Sequence, residues 1–128
     1  MNAVRKKLRT SLEKFSRKVV EVKSEEQAFK DEAAYAGSGL ESEDIPTRIR
    51  AVEFLVILGA NPFAQDYLMK ALEDKETSVV QKALQGLGKV ASVRSIPKLQ
   101  QLLQKTNSKF IAAEVTRIIG KIQRNLEA

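Results

Sequence analysis

Residues 77–103 read TSVVQKALQGLGKVASVRSIPKLQQLL, and this stretch decides the fold. Val79, Val80, Ala83, Leu84, Leu87 and Val90 fall within roughly 140° of a helical wheel turned 100° per residue. Gln81, Lys82, Gln85 and Lys89 take the other side. That stripe predicts an amphipathic helix over 78–90, with Leu87-Gly88 near its end. Ser95-Ile96-Pro97 opens a second helix over 95–104, because a first-turn proline gives up an N–H that has no helical partner to lose. Leu99, Leu102 and Leu103 form its inner face. The pair makes one hairpin, with Leu84 and Leu87 expected to be almost fully buried.

Parts of this pattern recur on both sides. Downstream, Asn107-Ser108 caps a last helix over 109–124, with Ile111, Val115, Ile118, Ile119 and Ile122 inward. Upstream, Asn61-Pro62 is a cap followed by a first-turn proline, and opens a helix over 63–73 on Phe63, Tyr67, Leu68, Ala71 and Leu72. Asp44 and Pro46 start another over 47–58. Ile49, Val52, Phe54, Leu55, Val56, Ile57 and Leu58 surround that helix, with Glu53 the only charge in its second half. A helix apolar all round needs cover all round, so this one is expected to be the core.

The N-terminal part differs in kind. Val4, Leu8, Leu12, Phe15, Val19 and Val22 make a narrow stripe on a helix over 3–22, and Lys and Arg cover most of the remainder. Ser24 with Gln27 either restarts the helix as a capping box, or one helix runs on to about Ala36. Gly37-Ser38-Gly39 followed by Glu41-Ser42-Glu43-Asp44 reads as a linker. The expected organisation is therefore a basic amphipathic segment over 1–36, an acidic linker over 37–45 and a helical-repeat domain over 46–128. The first helix is expected to cover 47–58, within the chain or across a homodimer. Arg5, Lys6, Arg9 and Arg17 would then face outward as a basic ridge.

The repeat has a measurable period. Val79 and Ile111, Ala83 and Val115, Leu87 and Ile119, and Gly88 and Gly120 are all 32 residues apart; Leu68 and Leu99, and Leu72 and Leu103, are 31 apart. A helical hairpin repeating about every thirty residues is an α-solenoid, in which each unit buries its face against its neighbours. Leu87-Gly88-Lys89-Val90, Ser95-Ile96-Pro97-Lys98-Leu99 and Ile119-Gly120-Lys121-Ile122 resemble the short bacterial HEAT-like repeats, including those named for phycobilisome lyases. The resemblance covers 46–125 and departs from the family in one respect. The arginine that usually follows the first apolar position survives only as Arg50, with Val80 and Ala112 in its place elsewhere.

The fold class is thus all-α: a short HEAT-like α-solenoid of two helical hairpins plus a final helix, with an N-terminal amphipathic helix. The resemblance implies a non-catalytic adaptor that binds another protein within a larger assembly. It also implies that the second helix of each hairpin lines the concave face. Here that face would carry Asp66, Met69, Lys70, Glu73, Lys98, Gln101, Gln104 and Lys105, of which Met69, Lys70, Lys98, Gln101 and Lys105 are the partner-binding candidates.

Composition narrows the chemistry. Among 128 residues there is no cysteine and no histidine, which removes disulfides, thiolate chemistry and the commonest general base and metal ligand. The six glycines are scattered, three of them read as helix ends, and no phosphate-cradling loop occurs. Acidic clusters at 41–44 and 73–76 read as solvated turns without metal-loop spacing. Glu53, expected in or beside the core, is read as paired with Arg50 or with an arginine of the first helix. Neither enzymatic activity nor any cofactor is expected. The N-terminus is too polar for a secretory signal, and a cytoplasmic location is expected.

Charge keeps two other readings open. The net charge of +6 is divided unevenly: 1–23 hold eight Lys/Arg against two Glu, 24–44 one Lys against seven acids, and 45–128 thirteen bases against seven acids. Residues 75–128 with the first helix could bind nucleic-acid phosphates without sequence preference, although Phe110 alone is available for base stacking in that segment. The basic helix 2–23 could lie on a membrane surface. A stripe buried against 47–58 cannot also enter lipid, and this sets the membrane third. A protein partner stands first, and an acidic one would suit the basic ridge.

Overall fold

Side-chain oxygens start the helices where the sequence places them. Asp44 accepts a hydrogen bond from the Thr47 N–H at 3.1 Å, and Asn61 accepts from the N–H groups of Phe63 and Ala64 at 2.9 and 3.4 Å. Ser108 accepts from Ile111 N–H at 3.2 Å. Each satisfies a first-turn donor that has no helical acceptor. Pro46, Pro62 and Pro97 all stand in first turns.

The computed structural model describes residues 24–127. The chain divides into two units, Met1–Glu32 and Ala33–Ala128. Of the first, residues 24–32 are helical. Gln27 donates to Asp31 at 2.9 Å and Lys30 faces Glu26 at 3.6 Å, both one turn apart, the spacing at which side chains on a helix meet. The expected helix over 3–22, its apolar stripe, and Arg5, Lys6, Arg9 and Arg17 lie outside the described residues.

In the second unit, helical residues 33–38 (α1) lead through a 3-10 turn, Gly39–Glu41, into α2 (Ile45–Ile57), α3 (Pro62–Ala71) and α4 (Thr77–Val90). A second 3-10 turn, Val93–Ser95, precedes α5 (Ile96–Lys105) and α6 (Lys109–Glu127). No strand occurs among the described residues. The architecture is the expected all-α solenoid: α2 with α3 and α4 with α5 form two hairpins, and α6 adds a final helix. Gly37, within the stretch read as a linker, is buried in α1 against the Tyr67 ring.

The core lies along α4. Leu84 and Leu87 are fully buried, as are Val52, Leu55, Leu68, Val79, Leu99, Val115 and Ile122. Burying a leucine contributes roughly 1.5–3 kcal/mol relative to leaving it exposed. Helix α4 packs against α2, α3 and α6, while α5 packs on α6.

Gly88 lies near the end of α4, as the sequence predicts. Gly86 and Gly88 are interior and buried; a Cβ on Gly86 would overlap a Val56 methyl, and one on Gly88 would sit 3.3 Å from Ile118. Their missing side chains let α2 and α6 approach α4 closely. The left-handed position that closes α4 is filled by Ala91, at φ 55° and ψ 46°. Gly120 lies inside α6, within the expected helix over 109–124.

Helix α2 is not covered all round: Phe54 is 45% and Ile57 78% exposed. Helices α3 and α4 and the Gly39–Glu41 turn pack on it. Glu53 is half-exposed rather than set in the core, and it faces Lys82 of α4 at 3.7 Å instead of Arg50. Arg50 donates to the Thr47 hydroxyl at 3.3 Å.

Candidate functional site

Helices α3 and α5, the second members of the two hairpins, are tied across their seam by two ion pairs. Near the start of both helices, Arg94 donates to Asp66 at 2.7 Å and to the Pro62 carbonyl at 3.1 Å. Further along, the Lys98 ammonium donates to the Glu73 carboxylate. Leu72, Glu73, Lys98, Gln101, Leu102 and Lys105 line a groove of about 290 Å³ there. That is the bottom of the roughly 300–1,000 Å³ range of small-molecule sites, a size that suits side chains of a bound segment.

Electrostatics gather around Glu73. The hydrogen bond from Lys98 holds its carboxyl below the usual range, and the charges of Lys98, Lys105 and Lys70 act in the same direction. One lysine, Lys98, is bonded to the carboxylate, and two more act on it through their charge. Of the five candidates on this unit, the structure brings Lys98, Gln101 and Lys105 into one groove, with Lys70 close enough to act on its acid. Met69 is half-buried and packs on the core. Gln104 is exposed.

Sequence reasoning missed the most buried charge among the described residues. Arg48 is 5% exposed. Its guanidinium donates to Asp74 at 2.9 and 3.3 Å and to the carbonyls of Ser42 and Glu43 at 2.9 and 3.1 Å. Asp74 was expected in a solvated turn. Instead it accepts from Arg48 and from the Glu76 N–H at 2.9 Å, fastening the start of α2 to the α3–α4 turn. An arginine in a first turn gives no sign of burial when its acid lies 26 residues away. A smaller network joins the turns at the other end: Ser92 donates to Gln65, and Gln65 donates to the Gly59 carbonyl, at 3.0 and 2.9 Å.

Among the described residues, no group of three or more Asp or Glu is placed to hold a metal ion, and no helix is long and apolar enough to cross a membrane. Compared with curated proteins one by one, the chain matches none. The family model for HEAT repeats matches residues 33–120, which takes in α1 and the Gly39–Glu41 turn as well as both hairpins and most of α6. With that match spanning most of its length, and two stacked hairpins beneath it, the chain belongs to the HEAT repeat family.

Proposed function

We propose that this protein is a non-catalytic adaptor that binds an acidic segment of another protein along the α3–α5 seam, within a larger assembly in the cytoplasm. HEAT repeats generally mediate protein–protein contacts. The observation that carries the finer reading is the groove in which Lys98, bonded to Glu73, and Lys105 stand beside Leu72 and Leu102. A partner carboxylate would complete the charge balance that one glutamate leaves unfilled. An apolar residue next to it would cover Leu102. Bare phosphate would use the lysines and leave the half-buried Leu102 uncovered, which favours a protein segment over nucleic acid. In this reading the basic residues 1–23 are a segment ahead of the repeats, which take in residues from 33 rather than from 46. Arg5, Lys6, Arg9 and Arg17 then offer a second contact to the same acidic partner.

The test compares two ligands by fluorescence anisotropy: a peptide alternating leucine with glutamate, and a single-stranded oligonucleotide of equal charge. The peptide should bind the native chain, and Lys98→Glu with Lys105→Glu should weaken it at least about tenfold, a change of roughly 1.4 kcal/mol. Preference for the oligonucleotide, with a steep salt dependence, would replace this reading with nucleic-acid binding.

A further inference from the structure

We infer that the trough between α2 and α4 is a second docking surface, which takes an amphipathic helical segment of another protein. The segment carries two apolar residues one turn apart and a carboxylate on their flank. Val52, Val56, Ile57 and Gly86 line the first part of the trough, and past Ile57 it continues along Gly59, Ala60 and Val90. The first helices meet closely at Gly86, where a side chain would strike Val56. That contact makes an apolar floor instead of a ridge. Ile57 stands at its edge with 78% of its surface in water, an arrangement that an apolar partner residue relieves.

Charge decides what kind of segment fits. Glu53 is already engaged by Lys82 at 3.7 Å at one end. Lys89 is exposed where the two parts of the trough join, since it lines both. The rim therefore carries two lysines against one glutamate. A segment rich in lysine and arginine is repelled, and this argues against residues 1–23, with their eight bases and two acids, as the occupant. A carboxylate beside the apolar anchors meets Lys89. The trough lies on first helices and the α3–α5 seam on second helices, so the two surfaces serve separate partners. Their joint occupation would bridge those partners.

The experiment uses the full chain with 13C-labelled isoleucine and valine methyl groups and two synthetic helical peptides. Both peptides carry leucines four residues apart, flanked by glutamates in one and by lysines in the other. The glutamate peptide should shift the Ile57 and Val56 methyl signals saturably and bind about tenfold more tightly than the lysine peptide. Lys89→Glu should invert that order, and Ile57→Ser should abolish the shifts while Lys98→Glu leaves them intact. Four results overturn the proposal: no shift with either peptide, an order that Lys89→Glu does not change, shifts that grow with protein concentration alone, or shifts produced by deleting residues 1–23. The third would assign the trough to a second copy, and the fourth to the chain's own arm.

Discussion

Arg48 and Asp74 form an ion pair 2.9 Å long with side chains only 6% and 12% exposed, joining residues 26 apart in the chain. Breaking a buried pair is costly because the surviving charge stays dry and unmatched. Arg48→Ala should therefore destabilise the fold by about 3–5 kcal/mol in urea melts. Arg48→Met with Asp74→Leu should recover most of that loss. If the double replacement is as unstable as the single one, the Arg48 hydrogen bonds to Ser42 and Glu43 matter more than the pair.

Leu87 lies fully buried in α4. Its replacement by alanine removes buried methyl groups and leaves a cavity, at a cost of about 2–5 kcal/mol. A loss below about 1 kcal/mol in denaturant melts would mean that the neighbouring helices close up around the gap.

Ala91 holds a left-handed backbone at the end of α4. That conformation costs a residue with a Cβ roughly 1–2 kcal/mol, and glycine is the usual occupant. Ala91→Gly should raise stability by about 1 kcal/mol, less whatever the unfolded chain gains in freedom. A destabilised variant would show that the Ala91 methyl makes contacts worth more than the strain.

Gly86 tests the close approach of α2. Glycine to alanine inside a helix is intrinsically favourable by about 1 kcal/mol, yet here the new methyl meets Val56. Gly86→Ala should be net destabilising by about 1–3 kcal/mol, the usual range for overpacking. Adding Val56→Ala should restore part of it; no restoration would place the clash elsewhere.

The carboxyls of Glu73 and Asp44 are both held below their ordinary values, the first mainly by the Lys98 hydrogen bond and the second mainly by that of the Thr47 hydroxyl. The folded chain thus binds these protons less readily than the unfolded one. Their contribution is complete above the ordinary values of 4.5 and 3.8, and it is lost as pH falls through the lower folded values. Melting temperatures recorded from pH 7 to 3 should decline on the acid side, and Glu73→Gln should make that decline shallower. An unchanged slope would mean that the Lys98 pair is not formed in solution.

Helix positions were legible because apolar stripes, Asp44, Asn61, Ser108 and three prolines all act within one or two turns of sequence. What escaped depends on approach between elements. The closeness of Ile118 to Gly88 cannot be read from the α4 stripe, and Asp74 reads as a turn residue until Arg48 reaches it from the start of α2. Ile57 looks like core by composition, since a wheel shows how apolar a helix is but not how many neighbours it has. At the seam, the lysines of α3 and α5 could be placed on one face from their period. Their convergence on Glu73 required the two hairpins to be set side by side.

The seam between α3 and α5 also has a mechanical meaning. The first helices interlock through apolar contact at Gly86 and Gly88, which is insensitive to salt. The second helices are tied across their seam by Arg94–Asp66 and Lys98–Glu73, surface pairs that mobile ions weaken within a Debye length of about 8 Å. One edge of the stack is therefore stiff and the other compliant. A ligand that draws Lys98 away from Glu73 would unfasten the compliant edge while the stiff one holds, so the repeats would flex about the α2–α4–α6 row as about a spine.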